Sequence, residues 1–232
     1  MNSKKKNIEA QIVEDFEKIR PAITRLLQTQ MKNDDLSLRY GRSKSNSKND
    51  IVINPSILVN TISKTNLDRD EVMIGTVVHE AIHATNNYSL DSESLNKLFP
   101  DELDDVEDID DVLEILTGPF GKYVFDILIH SIEEKIFVKQ YEGLNSILED
   151  IYTESFSEIK KLGNFSQYLS LLFHSITSYI NPEFENYKKP VVSSLNESLH
   201  ILKTLNYENV NVSELIEATV QMVDICLSLI HI

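Results

Sequence analysis

The sequence predicts an α+β fold that is mainly helical, and three observations predict it. Long stretches carry apolar residues at three- and four-residue intervals, the period of a helix that buries one face. Residues 36–41 instead alternate apolar and polar residues, and the apolar residues 51–53 follow a polar turn segment, as two short strands would. Turn-forming residues separate these segments without an obvious linker. We therefore expect one domain over residues 1–232, with a motif-bearing core at about 50–140 and a helical part at about 141–232.

Charge and composition exclude several classes of protein. The formal net charge of −15 disfavours nucleic-acid or anionic-membrane partners, because these attract Lys and Arg. No run reaches the ~20 apolar residues of a membrane-spanning helix, and the basic N-terminus leads into no signal-peptide core. The single cysteine, Cys226, lies in an apolar run and is expected to pack as a small hydrophobe. These features predict a cytoplasmic chain.

The first elements are predicted from periodicity. Residues 8–30 form an amphipathic helix. Its apolar stripe consists of Ile8, Ile12, Val13, Phe16, Ile19, Ile23, Leu26 and Leu27. Pro21 predicts a kink in this helix or a boundary between two helices. Residues 36–53 predict a β-hairpin, because turn-forming residues separate two short strands. Another helix is expected after Pro55.

A buried helix is predicted to follow Asp68. Asp68, with Glu71 three residues later, is typical of a capped helix start. Residues 72–85 are almost all apolar or small, which predicts burial on all sides. Unpaired charge in such a place costs several kcal/mol, so titratable residues there need a partner, and a metal ion is one. These residues are His79, Glu80 and His83.

The spacing of these three residues matches zinc chemistry. His79 and His83 lie one turn apart on one helix face, so both imidazoles can bind one ion. Glu80 is placed to take a proton from water on the open side of that ion. HExxH on a helix is typical of the zinc hydrolases called zincins. The alternative is a pair of core histidines that backbone groups satisfy.

The third ligand must come from a different segment, because no histidine follows closely enough to extend the motif. Residues 125–141 predict a second buried helix that contains two glutamates and a histidine. Glu133 is the first choice, since it shares a helix face with the apolar Ile129. Glu134 is the alternative carboxylate. His130 is either a ligand or a hydrogen-bond partner of one.

Three segments resemble a known family. They are "NDIVINPSILVN", "VVHEAIHATNN" and "HSIEEKIF". Together they are similar to the predicted metallopeptidases found beside von Willebrand A-like domains, many of them phage-encoded. The resemblance implies that Glu133 takes the family's glutamate position, Glu134 its aspartate position and His130 its asparagine position, while the family's arginine is missing. It also implies a gluzincin-like fold in which a small hairpin or sheet flanks the HExxH helix.

These expectations combine into a zinc-dependent peptidase. His79, His83 and Glu133 would hold Zn²⁺, and Glu80 would act as general base and then as proton donor to the leaving amine. The partner would be a peptide or protein substrate. The alternative is a non-catalytic structural or interaction protein, such as part of a viral assembly, that keeps the fold. A phage-encoded chain would act in the host cytoplasm or in the virion.

Two further segments carry weaker signals. Residues 101–111 are strongly acidic, which favours a solvated surface loop over a rim that attracts cationic substrates. His174 and Tyr179 are expected in the core or at the surface. The alternative for this pair is a hydrogen-bond donor to the oxyanion of a transition state.

Overall fold

The elements of the computed structural model confirm a mainly helical α+β class. The residues described are 2–41, 49–54, 58–59, 62, 68–85, 95, 97–99, 106, 108–140, 142–156, 158–179, 183–207 and 210–230. Their main elements are α1 (Asn2–Met31), β1 (Ser37–Tyr40), β2 (Asp50–Ile53), α2 (Arg69–Thr85), α3 (Ile109–Thr117), α4 (Gly121–Gln140), α5 (Glu142–Phe156), α6 (Asn164–Thr177), α7 (Lys189–Leu202) and α8 (Val212–Ile230). Short 3₁₀ turns occupy Gly118–Phe120, Ile159–Lys161 and Phe184–Asn186. The finer prediction of a zincin fold stays a prediction.

The chain divides into two compact units. Unit 1 comprises Met1–Asn87 and Gln140–Glu154, and unit 2 comprises Tyr88–Lys139 and Ser155–Ile232. The chain therefore leaves unit 1 after α2, returns to it with α5, and continues in unit 2. The expectation of one domain over residues 1–232 stays a prediction.

In unit 1, α1 buries much of the stripe that its sequence predicts. The buried residues are Ile12, Phe16, Ile23 and Leu27. Ile8 and Leu26, at the margin of the stripe, are exposed. The helix continues through Pro21, so the predicted boundary between two helices is wrong.

β1 and β2 run parallel, with Leu38 opposite Ile51. The hairpin predicted over residues 36–53 is therefore wrong, because the strands of a hairpin run antiparallel. The alternation of β1 is correct, since Leu38 is buried between the exposed Ser37 and Arg39. In β2, by contrast, three consecutive residues are buried. Alternation decides which face of a strand is buried, whereas the connection between strands decides their relative direction. Residues 42–48 of that connection lie outside the described part of the chain.

The start and the burial of α2 follow the prediction. The Asp68 carboxylate accepts a hydrogen bond from the backbone N–H of Asp70 at 2.8 Å, which caps the helix. The helix packs against α1 and β2. Its buried residues are Val72, Met73, Thr76, Val77, Val78, Ala81 and Ile82. The helix predicted after Pro55 lies mostly outside the described residues.

Unit 2 has its own apolar core, to which α6, α7 and α8 contribute. Cys226 of α8 is fully buried there, as predicted, and burial raises the pKa of its thiol to about 11. Asp108 caps α3 by accepting a hydrogen bond from the Asp110 N–H at 2.7 Å. Most of residues 101–107 of the expected acidic loop lie outside the described residues. Residues 109–111 were expected in the same loop but form the first turn of α3. Among the described helices, none has the length and apolarity to cross a membrane.

His174 of α6 packs in the core of unit 2. Its side chain is 3% exposed, so of the two positions expected for it, the core and the surface, it takes the core. Its ring meets those of Phe156 and Phe173 edge-on, with centroid separations of 5.0 and 5.4 Å. Burial lowers the pKa of His174 to about 4, so the imidazole is neutral in the folded protein near neutral pH.

We expect His174 to lower the stability of the protein in acid. Its pKa is 6.5 in the unfolded reference and about 4 when folded, so between these values the unfolded chain binds the extra proton. The free energy of unfolding should therefore fall as the pH drops from 6.5 towards 4. The loss should be on the order of 3 kcal/mol in total.

Urea unfolding at a series of pH values, for the wild type and His174→Leu, measures this contribution. The variant should show a shallower acid slope than the wild type. His200→Leu, at an exposed position on α7, should keep the wild-type slope. An unchanged acid slope in His174→Leu would contradict the assignment.

Candidate functional site

The HExxH residues lie in the C-terminal half of α2. His79 and Glu80 are half-buried, whereas Val77 and Val78 just before them are fully buried. His83 belongs to the same helix, although its side chain lies outside the described part of the structure. The helical spacing predicted for the two histidines is present.

His79 contacts a tyrosine for which sequence patterns carry no signal. Its Nδ1 lies 3.0 Å from the hydroxyl oxygen of Tyr152 in α5. The two rings are tilted by 65° with centroids 6.3 Å apart. Both residues belong to unit 1. The ring nitrogen of His79 that Tyr152 does not engage is Nε2, and imidazole can bind a metal through that atom.

Gly75 allows α5 to approach α2 closely. A Cβ at this position would lie 2.5 Å from Cδ1 of Ile151 and 3.0 Å from Cγ2 of Ile147. Gly75 precedes His79 by one helical turn and so shares its face. Ile151 immediately precedes Tyr152. The small residue at position 75 therefore sets the distance at which Tyr152 reaches His79. A lone glycine inside an apolar helix was the available sequence signal.

In unit 2, α4 carries the other predicted ligands. Glu133 is 5% exposed and Glu134 is 0% exposed, so the predicted burial of this helix segment is confirmed. The Tyr179 hydroxyl donates a hydrogen bond to Oε1 of Glu134 at 2.9 Å. Oε2 of Glu134 lies 3.8 Å from Nε2 of His130, one turn earlier. Glu134 therefore has a polar partner at each oxygen.

Tyr179 is a buried donor, as expected of a residue in the core. Burial first, and then the nearby Glu134 carboxylate, raise the pKa of its hydroxyl above the usual value. The hydroxyl therefore keeps its proton and uses it to donate a hydrogen bond to Glu134. The ring of His130 meets the ring of Phe173 edge-on, with a centroid separation of 5.8 Å. An aromatic side chain therefore packs beside His130 and Glu134. The alternative of an oxyanion donor stays a hypothesis.

The end of α6 positions Tyr179. Ser178 adopts a left-handed φ of 64°, which turns the chain away from the helix direction. The ammonium of Lys135 donates to the carbonyl oxygen of Ile176 at 2.7 Å, which satisfies one of the last carbonyl groups of α6. Lys135 follows Glu134 in α4. The same turn of α4 therefore holds the end of α6 and receives its tyrosine.

No family model, curated protein or solved structure matches this chain. A functional conclusion must therefore come from the chemistry of the residues themselves. The assignment of Glu133 as third ligand, which the resemblance implied, stays a prediction.

We expect Gly75→Leu to destabilise unit 1, because the new side chain meets Ile151 and Ile147. Overpacking of this kind costs about 1–3 kcal/mol. The matched control is Gly143→Leu, because a Cβ at Gly143 would meet nothing within 4 Å. This control should be neutral or slightly stabilising, since leucine favours helix more than glycine does. Urea unfolding of both variants tests this, and equal losses would contradict a close approach at Gly75.

Proposed function

We propose that this chain is a zinc-dependent peptidase. The observation that carries the proposal is the HExxH motif, which lies within the helix α2 with His79 and Glu80 half-buried. We take His79, His130 and Glu134 as the candidate His-His-Glu donor set. Two imidazoles and one glutamate are the donor set of one class of catalytic zinc site. The HExxH motif on α2 supports zinc in particular, because imidazole and carboxylate donors by themselves also suit other transition metals.

The hydrogen bonds within each unit support this donor set. In unit 1, Tyr152 meets Nδ1 of His79. In unit 2, Tyr179 donates to one oxygen of Glu134. Residues that bind metals in proteins are commonly held in this way at the atom that does not face the ion. Each partner therefore reduces the number of orientations that the ligand can adopt.

His83 and Glu133 remain candidate ligands beside this group. His83 follows His79 by one turn, so α2 can offer two imidazoles to one ion. We take Glu134 as the carboxylate ligand, because it is the more deeply buried of the two glutamates and its Oε2 lies 3.8 Å from Nε2 of His130. Glu133, the choice from the resemblance, is the competing assignment.

Glu80 would carry out the proton transfer. A bound zinc ion would lower the pKa of a water molecule to about 7. Glu80 is half-buried next to His79; its carboxylate would accept the proton of the attacking water and pass it to the leaving amine. The substrate class that this chemistry serves is a peptide or protein chain.

The alternative is a non-catalytic interaction protein, and the number of candidate ligands favours it. His79, His83, His130 and Glu134 together would supply four donors. Structural zinc sites have four protein ligands, whereas catalytic sites have three and leave one position to water. A closed site would stabilise a binding surface and would cleave nothing.

The first test is metal content. Purified protein should carry about one zinc per chain after zinc-replete expression, and His79→Ala should lose it. His200→Ala, at an exposed site on α7, should retain it. Elemental analysis and competition with a chromophoric chelator measure both. A wild type without bound zinc, and as stable as His79→Ala, would rule out the metal site.

The same titration compares the two carboxylates of α4. Glu134→Gln should weaken zinc binding by about tenfold or more, the usual effect of losing a ligand or its hydrogen-bond partner. Glu133→Gln should weaken it less. The reverse order would establish Glu133 as the third ligand.

The catalytic test is Glu80→Gln, which keeps the shape of the side chain and removes the base. Zinc content and melting temperature should stay near those of the wild type. Cleavage of a peptide library, or self-cleavage, should fall about 100-fold or more. Glu71→Gln, at an exposed position on the same helix, should cleave as the wild type does. Undiminished cleavage in Glu80→Gln, or a zinc ion with four protein ligands, would favour the interaction protein.

A further inference from the structure

We propose that Tyr152 is a positioning residue for His79, and that it determines which ring nitrogen of His79 binds the metal. This inference depends on the proposed function, because it assumes that His79 is a ligand. Neither the HExxH motif nor the periodicity of α5 points to Tyr152. The assignment comes from its contact with Nδ1 of His79 at 3.0 Å.

The contact engages Nδ1 of His79, so the ion would bind through the other ring nitrogen, Nε2. A neutral imidazole has one N–H and one acceptor nitrogen, and the hydrogen bond at one nitrogen decides which is which. A metal binds the nitrogen without a proton. When Nδ1–H donates to the Tyr152 oxygen, Nε2 presents its lone pair to the ion. The Tyr152 hydroxyl can donate or accept at this contact, so it accepts from Nδ1–H once Nε2 binds the ion and holds the ring in that orientation. Without the hydroxyl, Nδ1 would compete with Nε2 for the ion and the ring would be held less firmly.

The packing of α5 on α2 keeps Tyr152 in place. Ile147 and Ile151 lie against the position where a Cβ of Gly75 would be, and Tyr152 is the residue after Ile151. The apolar contacts of its neighbours thus hold the backbone of α5, and the ring of Tyr152 packs at an angle to that of His79. Phenylalanine would preserve the ring and remove only the hydroxyl group. Tyr152→Phe is therefore a specific probe of the hydrogen bond.

The chain offers a matched control in the same unit. Tyr40 is half-buried like Tyr152, and its hydroxyl donates to the carbonyl oxygen of Ile12 at 3.3 Å. Tyr40→Phe therefore also removes one partly buried hydroxyl hydrogen bond, but the partner lost is a backbone carbonyl and not a candidate metal ligand. Both variants should lose a similar, small amount of thermal stability.

The experiment measures zinc affinity by chelator competition in the full chain. Tyr152→Phe should bind zinc about 10- to 100-fold more weakly, the range for partners of metal-bound histidines, while Tyr40→Phe should bind it as the wild type does. Long-range ¹H–¹⁵N spectra of the zinc-loaded wild type should show His79 protonated at Nδ1 and bound through Nε2.

The outcomes separate this inference from the proposed function. If the wild type binds zinc, His79→Ala loses it and Tyr152→Phe binds it with unchanged affinity, the positioning role is overturned and the metal site stands. Binding of zinc through Nδ1 of His79 would also overturn it. Equal losses of affinity in Tyr152→Phe and Tyr40→Phe would show a purely structural role. A wild type that binds no zinc would overturn the proposed function, and the role of Tyr152 with it.

Discussion

The burial of the Glu134 carboxylate is the constraint on which its surroundings in unit 2 depend. A carboxylate with no exposed surface loses hydration that is worth several kcal/mol, so the surrounding structure must compensate for it. The Tyr179 hydroxyl does so at 2.9 Å, and this requires α6 to end and turn at Ser178. Lys135 holds that helix end from the same turn of α4. An apolar side chain at position 134 would need none of these features, so packing alone gives no reason for the carboxylate.

In unit 1, a glycine in α2 allows a tyrosine to contact a candidate ligand, as the end of α6 does in unit 2. Glycine inside a helix costs about 0.5–1 kcal/mol relative to alanine, and Gly75 lies within α2. In return, Ile151 and Ile147 come within the space that a Cβ would fill. The close approach places the hydroxyl of Tyr152 against His79. In each unit, a locally unfavourable residue is thus coupled to a tyrosine hydroxyl that holds a potential metal ligand.

The features that could be predicted from the sequence are those in which burial produces a regular spacing of apolar residues over a short stretch of chain. The stripe of α1, the cap at Asp68 and the burial of α2 and α4 all belong to this kind, because each follows from residues within a few turns of one another. The direction of β2 relative to β1 does not, since alternation is the same for parallel and antiparallel strands. Tyr152 lies 73 residues from His79, and nothing in its own helix distinguishes it. The spacing of apolar residues also could not decide between Glu133 and Glu134 as the ligand, because both glutamates are buried in α4.

Glu80 is the residue on which the argument for catalysis depends. Its neighbours Val77, Val78, Ala81 and Ile82 are buried, whereas Glu80 and His79 are the half-buried residues between them. A helix whose only task was packing would gain nothing from a carboxylate there, and a closed four-ligand metal site would leave it without water to deprotonate. At an open metal site, Glu80 could accept the proton of the metal-bound water, because a carboxylate beside a ligand can receive a proton without displacing that ligand. The position of Glu80 therefore favours hydrolysis over a purely structural ion.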